Sequence, residues 1–347
     1  MSGSRDNSVR VWDASTGVEL KKLEGHRASV CSVMFSSDST WIVSGSDDSS
    51  VRVWDVSTGV QLKEMKGHTR CVNSVMFSSD SARIVSGSYD GYMQVWDASS
   101  THVELNELKG HTGCVYSVAF SNDGTQIVSG SKDTSVQVWD VSTAVELKLK
   151  GHTRSVNSVG FSSDSTRIVS GSNDNSVRVW DASTGVELKK LKGHTDWVYS
   201  VAFSSNGTLI VSGSKDNSVQ VWDVSTGVKL KKLKGHTDWV YSVAFSSNGT
   251  LIVSGSKDSS VRVWDVSSGV ELKDLKGHTG SVHSVMFSSD GMWIVSGSDD
   301  NSVRVWDVLT GMKLKELRGH TGLVNSVAFS SNSTWIVSGS QDNIRKT

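Results

Sequence analysis

Residues 236–275 read HTDWVYSVAFSSNGTLIVSGSKDSSVRVWDVSSGVELKDL. Val240 to Phe245 is a short apolar-rich run that stops at Ser246-Ser247-Asn248-Gly249, and Asn-Gly between two apolar runs is a strong hairpin signal. A second run, Leu251 to Ser256, is followed by the polar turn Lys257-Asp258-Ser259. Val261-Arg262-Val263-Trp264 alternates apolar with polar as a third strand does, Asp265 to Gly269 turn the chain again, and Val270-Glu271-Leu272-Lys273 begins a fourth strand. No helical period interrupts these runs. The stretch therefore predicts a four-stranded antiparallel meander, and such a sheet buries its two faces by stacking on its neighbours around an axis.

The rest of the chain repeats this unit. Gly-His pairs place histidines at 26, 68, 111, 152, 194, 236, 278 and 320, and Trp-Asp pairs place tryptophans at 12, 54, 96, 139, 180, 222, 264 and 306. Successive histidines stand 42, 43, 41, 42, 42, 42 and 42 residues apart, a period that belongs to propellers. The expectation is an all-β protein made of one domain, residues 1–347, with eight repeats of about 42 residues.

Gly-His, then Ser-Gly-Ser-x-Asp, then Trp-Asp in every unit resembles the WD40 family. The resemblance covers essentially the whole chain and implies an eight-bladed WD40 β-propeller with four antiparallel strands per blade. One departure is the turn that the family often writes Ser-Pro-Asp-Gly: here it is Ser-Ser-Asp-Ser or Ser-Ser-Asn-Gly, in a chain without proline. Losing proline from a compatible turn costs only about 0.4–1 kcal/mol, through the unfolded state, and leaves the fold expectation intact. Near-identical repeats of this kind also look like the WD40 arrays that end fungal NACHT-type signalling NTPases.

The ends of the chain overlap. Ser2-Gly3-Ser4-Arg5-Asp6-Asn7 recurs as Ser338-Gly339-Ser340-Gln341-Asp342-Asn343, an offset of 336, which is eight units of 42. After Asn343 the C-terminal copy lacks the Val-x-Val-Trp strand that Ser8 to Trp12 retain. Residues 1–23 are thus expected to complete the blade begun by 320–343, with strands near 324–329, 335–340, 8–12 and 18–23. A ring closed in this way pairs the edges that the two chain ends would otherwise leave open to aggregation. The alternative, seven blades with one unit left over, strands a complete set of apolar strands in water. A start inside a repeat also suits a segment of a larger protein.

Serine, histidine and aspartate at fixed offsets raise the question of a nucleophile, base and orienting acid. The sets are His26, Ser44, Asp48, Trp54; His68, Ser86, Asp90, Trp96; His111, Ser129, Asp133, Trp139; His152, Ser170, Asp174, Trp180; His194, Ser212, Asp216, Trp222; His236, Ser254, Asp258, Trp264; His278, Ser296, Asp300, Trp306; and His320, Ser338, Asp342 with Trp12. A catalytic site needs one solvent-reachable nucleophile beside an oxyanion hole, whereas eight equivalent sets more simply tie the inner turns of each blade together. The WD40 resemblance implies the same, a structural tetrad of Trp, Ser, His and Asp. No catalytic residues are expected and the chain is read as a non-enzyme. A propeller enzyme with a central-channel site is the rival reading, and it requires unrepeated acids or metal ligands there.

Composition narrows the remaining functions. Lys plus Arg is 35 against Asp plus Glu 36, so no bulk basic field exists to hold nucleic acid or an anionic membrane. There is neither an apolar run near 18 residues nor a signal-like N-terminus, and a cytoplasmic, monomeric protein is expected. The three cysteines, Cys31, Cys71 and Cys114, show no CxxC spacing, so the sequence suggests neither disulfides nor a zinc site, and the cysteines read as small apolar fillers. With no GxxxxGK[ST], HExxH or Gly-rich phosphate loop, no cofactor or metal is expected. Lysine-rich outer strands, such as Lys189-Lys190 and Lys231-Lys232, read as guards against edge pairing.

Differences between copied units show where this chain permits or uses variety. Before the first valine of the first strand stand Ser29, Cys71, Cys114, Ser155, Trp197, Trp239, Ser281 and Leu323, and after it Cys31, Asn73, Tyr116, Asn157, Tyr199, Tyr241, His283 and Asn325. The residue before the tetrad aspartate also changes: Asp47, Tyr89, Lys132, Asn173, Lys215, Lys257, Asp299, Gln341. In a meander these points share one end of the sheet. The expected function is a protein- or peptide-binding scaffold whose partner sits on this face, around Trp197, Tyr199, Trp239, Tyr241, Tyr116, Lys132, Lys215 and Lys257. A consensus-like or designed ring with no ligand of its own is the alternative.

Overall fold

The computed structural model describes residues 7–98 and 104–341. Every regular element in it is a strand, and the strands form eight four-stranded antiparallel sheets. Blades 1 to 7 span residues 30–66, 72–109, 115–149, 156–192, 198–234, 240–275 and 282–318, each in simple chain order. Blade 8 is composite: Leu323–Phe329 and Trp335–Gln341 supply its first two strands, and Val9–Asp13 and Glu19–Leu23 supply the third and fourth. The seven-bladed alternative is excluded. Residues 1–6 and 342–347, which carry most of the overlapping hexapeptide and Asp342, lie outside the described residues.

The join between the chain ends reproduces the register of an unbroken blade. Val9 pairs with Gly339 and Asp13 with Trp335, as Val219 pairs with Gly213 and Asp223 with Leu209 inside blade 5. Side chains alternate between faces with period two, so this register alone puts Val9, Val11 and Leu23 into the apolar layer against Val30, Val33, Ile42 and Trp54 of blade 1. Equivalent layers lie between every pair of neighbouring blades, as with Val211, Val219, Val221 and Leu233 of blade 5 against Val240, Val243, Ile252 and Trp264 of blade 6. The core is therefore eight slabs around an axis.

Three features outside the apolar slabs lock blade to blade. Glycine of the Ser-Gly-Ser strand lets the next first strand approach: a Cβ on Gly213 would lie 2.8 Å from Val240 Cγ1, and one on Gly339 would lie 2.7 Å from Val30 Cγ1. A serine of each first strand accepts the N–H of a valine on the following blade, from Val75 N–H on Ser32 round to Val33 N–H on Ser326, at 3.2–3.3 Å in all eight cases. This belt runs unbroken across the chain ends. At the opposite end of the sheets from the variable positions, in the turn between the first and second strands, Ser39, Ser81, Ser165 and Ser333 adopt φ of 59–62° where other blades have glycine. Their hydroxyls accept the backbone N–H of Ser331, Ser37, Asn122 and Ser289 on the adjoining blade at 2.9–3.1 Å, which offsets the cost of the left-handed backbone. The Ser-Ser-Asp-Ser departure from the family's turn is thus an inter-blade contact.

Candidate functional site

The polar sets are assembled as one chain of hydrogen bonds per blade. Trp Nε1–H donates to the serine Oγ at 2.8–3.4 Å in all eight, including Trp12 to Ser338 across the join. The serine Oγ lies 2.7–2.8 Å from His Nε2 in all eight. His Nδ1 lies 2.8–3.1 Å from the aspartate in the seven blades whose aspartate is described. An indole can only donate and a carboxylate only accept, so in these seven blades the Nδ1–H goes to the aspartate, while the serine, which accepts the indole N–H, keeps its own proton for Nε2. The aspartates also accept backbone N–H groups, as Asp48 does from Arg27 and Ser50.

The protonation states follow. Burial works against the charge on Asp90, yet the hydrogen bonds from His68 and from the Thr69 and Tyr92 backbone hold its carboxyl down to about 2. Burial pushes His26, His152 and His278 below the ordinary imidazole value in spite of their aspartates. Serine, histidine and aspartate do lie in triad order, but every one of these serines is 0% exposed and accepts an indole N–H. Acyl transfer requires substrate to reach the hydroxyl.

The variable face is built on a β-bulge. In each first strand the pairing register slips by one residue after the first valine, as between Val198 and Ser200 or Val240 and Ser242. The skipped residue is the variable one, and a bulge re-aims the side chain that it frees from the ladder. All eight of these residues, Cys31, Asn73, Tyr116, Asn157, Tyr199, Tyr241, His283 and Asn325, line one opening of about 620 Å³ together with Asp47, Cys71 and Tyr89. Three asparagines brace the rim by donating to the next blade: Asn73 to Tyr116 O at 2.8 Å, Asn157 to Val198 O at 2.8 Å and Asn325 to Val30 O at 3.1 Å.

Around this opening the residues expected to meet a partner separate into two groups. Trp197 and Tyr199 (ring centroids 6.4 Å apart), Trp239 (6.1 Å from Tyr199), Tyr241 (5.3 Å from Tyr199) and His283, stacked on Tyr241 at 4.9 Å, form a continuous aromatic arc. Lys215 bridges the two indoles, its Nζ 4.4 Å from Trp197 and 4.8 Å from Trp239, and Lys257 lies 4.2 Å from Trp239. Asp196 and Asp238 hold these lysines at 3.8 and 3.4 Å. The indole faces are therefore covered by the protein's own ammonium groups and are not bare platforms. Tyr116 stands in the other group, edge-on to Tyr89 at 5.8 Å, and Lys132 shares a separate depression with Arg70, Tyr89 and Cys114.

Sequence reasoning missed two features here. His283, named there only as one of the variable residues, stacks on Tyr241 and meets Asp299 at 2.6 Å. Cys31 and Cys71, read as apolar fillers with no metal spacing, come from adjacent blades to Sγ···Sγ 3.5 Å, with Asp47 Oδ1 3.6 Å from Cys31. Hydrogen bonding to Cys31, burial and the nearby Asp47 push the Cys71 thiol above the usual thiol range. Spacing along one unit cannot reveal a group assembled from two.

The arrangement is that of an eight-bladed propeller scaffold with one constant and one variable face. The family described as WD domain, G-beta repeat matches residues 17–55, 59–97, 102–140, 144–181, 185–223, 227–265, 269–307 and 311–344, and the chain belongs to that WD40 family. Among solved structures it is similar to the crystal structure of the computationally designed Ika8 protein, with 36% identity, a TM-score of 0.82, and coverage of 92% of this chain and 95% of that one. No curated protein matches it. Among the described residues no helix is long and apolar enough to cross a membrane.

Proposed function

We propose that this WD40 ring is a non-catalytic scaffold that holds a protein or peptide on its variable face, with the aromatic arc from Trp197 to His283 as the main contact. The observation that carries this reading is the set of eight bulge residues: they differ between otherwise copied units and converge on one opening. WD40 propellers generally bind proteins or peptides, which supports it. Rigid aromatic rings bury large area at small entropic cost, and Lys215 and Lys257, once they leave the indoles, offer ammonium groups to an acidic or carbonyl-rich segment. The buried serines support the reading that no reaction is catalysed. A monomeric, cytoplasmic sensor segment of a NACHT-type signalling protein is the biological setting that the repeats' resemblance favours. Likeness to a designed propeller favours a second reading, a consensus-like ring with no ligand of its own.

A random peptide library displayed on phage and panned against the immobilised protein separates these readings. Selected peptides should lose at least about 2 kcal/mol of binding when Trp197 and Trp239 are both alanine, at unchanged melting temperature. No selectable peptide favours the ring without a ligand. Binding that survives the double change but is lost when Lys189, Lys190, Lys231 and Lys232 are neutralised moves the site to the outer rim. Turnover in a hydrolase screen that a single Ser→Ala change abolishes, with folding intact, overturns the non-catalytic assignment.

A further inference from the structure

The geometry points to a cation site for a thiophilic divalent metal of the Zn²⁺ class, formed by Cys31, Cys71 and Asp47 at the rim of the central opening. It goes beyond the peptide-binding reading and does not depend on it. The three ligand atoms all lie within 4.8 Å of one another. For a metal with bonds of about 2.3 Å to sulfur and about 2.0–2.2 Å to oxygen, a tetrahedron has S···S edges of about 3.8 Å and S···O edges of about 3.6 Å. Cys31 Sγ to Cys71 Sγ is 3.5 Å and Cys31 Sγ to Asp47 Oδ1 is 3.6 Å, so two edges of such a tetrahedron are in place with only small side-chain shifts needed.

The fold holds the three ligands on rigid elements. Cys31 occupies the bulge of the first strand of blade 1, Asp47 the turn after the second strand of that blade, and Cys71 the entry to the first strand of blade 2. Backbone bonds fix both sides: Asp47 N–H donates to Ser29 O, and Tyr89 N–H donates to Cys71 O, each at 2.9 Å. Among the eight units only this junction pairs a cysteine after the valine with a cysteine before the next one, and an acid stands beside it.

Two sulfur donors and one carboxylate select a borderline-soft cation over Mg²⁺ or Ca²⁺, which take oxygen ligands. Both thiols release their protons to solvent as the cation binds, and the divalent metal offsets two of the three negative charges then gathered there. Three protein ligands leave a fourth position, and all three line the same opening as Asn73, Tyr89 and Tyr116. Structural zinc sites close that position with a fourth protein ligand, whereas an open one takes water or a donor atom from a bound molecule.

Cobalt(II), a spectroscopic substitute for zinc, tests the site on the full chain after reduction and chelator treatment, with three free thiols verified by thiol titration. One equivalent should bind with thiolate-to-cobalt charge-transfer absorption and the intense visible bands of tetrahedral coordination, and Zn²⁺ should displace it. Cys31→Asn and Cys71→Ser introduce residues that other units already carry at these positions, so the blades should fold. Each should abolish the charge-transfer band, Asp47→Asn should weaken binding at least about 10-fold, and Cys114→Ser should change nothing. No saturable cobalt binding by the reduced protein, or binding that persists unchanged in both cysteine variants, overturns the site. A Cys31–Cys71 disulfide formed in air by a protein that takes up no cobalt when reduced overturns it in favour of a redox pair.

Discussion

Blades 5 and 6, from residues 194–235 and 236–277, differ at five of 42 positions, and three of those differences are one physical change. In blade 6, Arg262 lies in the middle of the third strand, where its guanidinium meets Glu271 at 2.5 Å and Asp274 at 3.5 Å on the fourth. Blade 5 has Gln220 in place of the arginine and Lys229 and Lys232 in place of the two acids; the register pairs Gln220 with Lys232 and Arg262 with Asp274. The other arginines at this position keep the same rule: Arg10 meets Glu19, Arg52 meets Glu64, Arg178 meets Glu187 and Arg304 meets Glu316. A cation under the outer strand therefore requires an acid on that strand. The fourth difference, Thr226 against Ser268, is neutral, since either hydroxyl caps the turn aspartate at 2.7 Å. At the fifth, Asn217 reaches Thr237 O at 3.1 Å from a φ of 63°, while Ser259 holds a φ of 67°.

The largest expected effect removes the closure that lets the two blades be alike at all. Deleting residues 1–23 takes two strands from blade 8 and bares the apolar slab of Trp54, Val30 and Val33, so the product should aggregate; a truncated form that melts like the parent refutes closure by the chain ends.

Acid comes next because it acts on every blade at once. Asp216 and Asp258 lie well below the usual carboxylate range: burial opposes their charge, but hydrogen bonds from His194 or His236 and from Ser218 or Ser260 outweigh it. Carboxyls lowered in the folded state stabilise it above the unfolded value of about 3.9 and lose that contribution as pH falls further. His26, His152 and His278, lowered by burial, lose theirs from about pH 6.5 downward, because the unfolded chain takes up the proton first. Melting temperature should therefore be level above about pH 7, decline below about 6.5 and fall steeply below about 4. A melting temperature that rises on acidification contradicts the neutral-histidine, anionic-aspartate pairing.

Trp222→Ala and Trp264→Ala should each cost about 3–5 kcal/mol, less whatever the repeat array absorbs locally, and the two should match because their surroundings are copies. Denaturant unfolding with a clear difference between them shows that the neighbouring charges reach the core. Changing Glu271 and Asp274 together to lysine should cost about 2 kcal/mol by leaving the half-buried Arg262 among cations, and adding Arg262→Gln should recover most of it by recreating blade 5. A double variant as stable as the parent breaks the proposed coupling. The smallest effect should be Ser259→Asn, a gain of about 0.5 kcal/mol from a residue that tolerates positive φ and bonds the next blade, visible as a shift of denaturant midpoint at constant slope.

Sequence alone determined the strand content, the eight-unit count and the composite blade, because strand period, turn residues and the 42-residue repeat act locally and recur eight times. It also identified which positions vary and that they share one face. The tertiary structure decided what those positions make. The bulge that aims Tyr199 and Tyr241 into the opening is a register slip between strands, and it has no signature in the residues themselves. Lys215 lying across Trp197 and Trp239, and Cys31 lying beside Cys71, are contacts between blades. Their distances depend on how sheets stack about the axis, which is set by glycine-valine packing and the serine belt acting together, so the site existed only once the ring was closed.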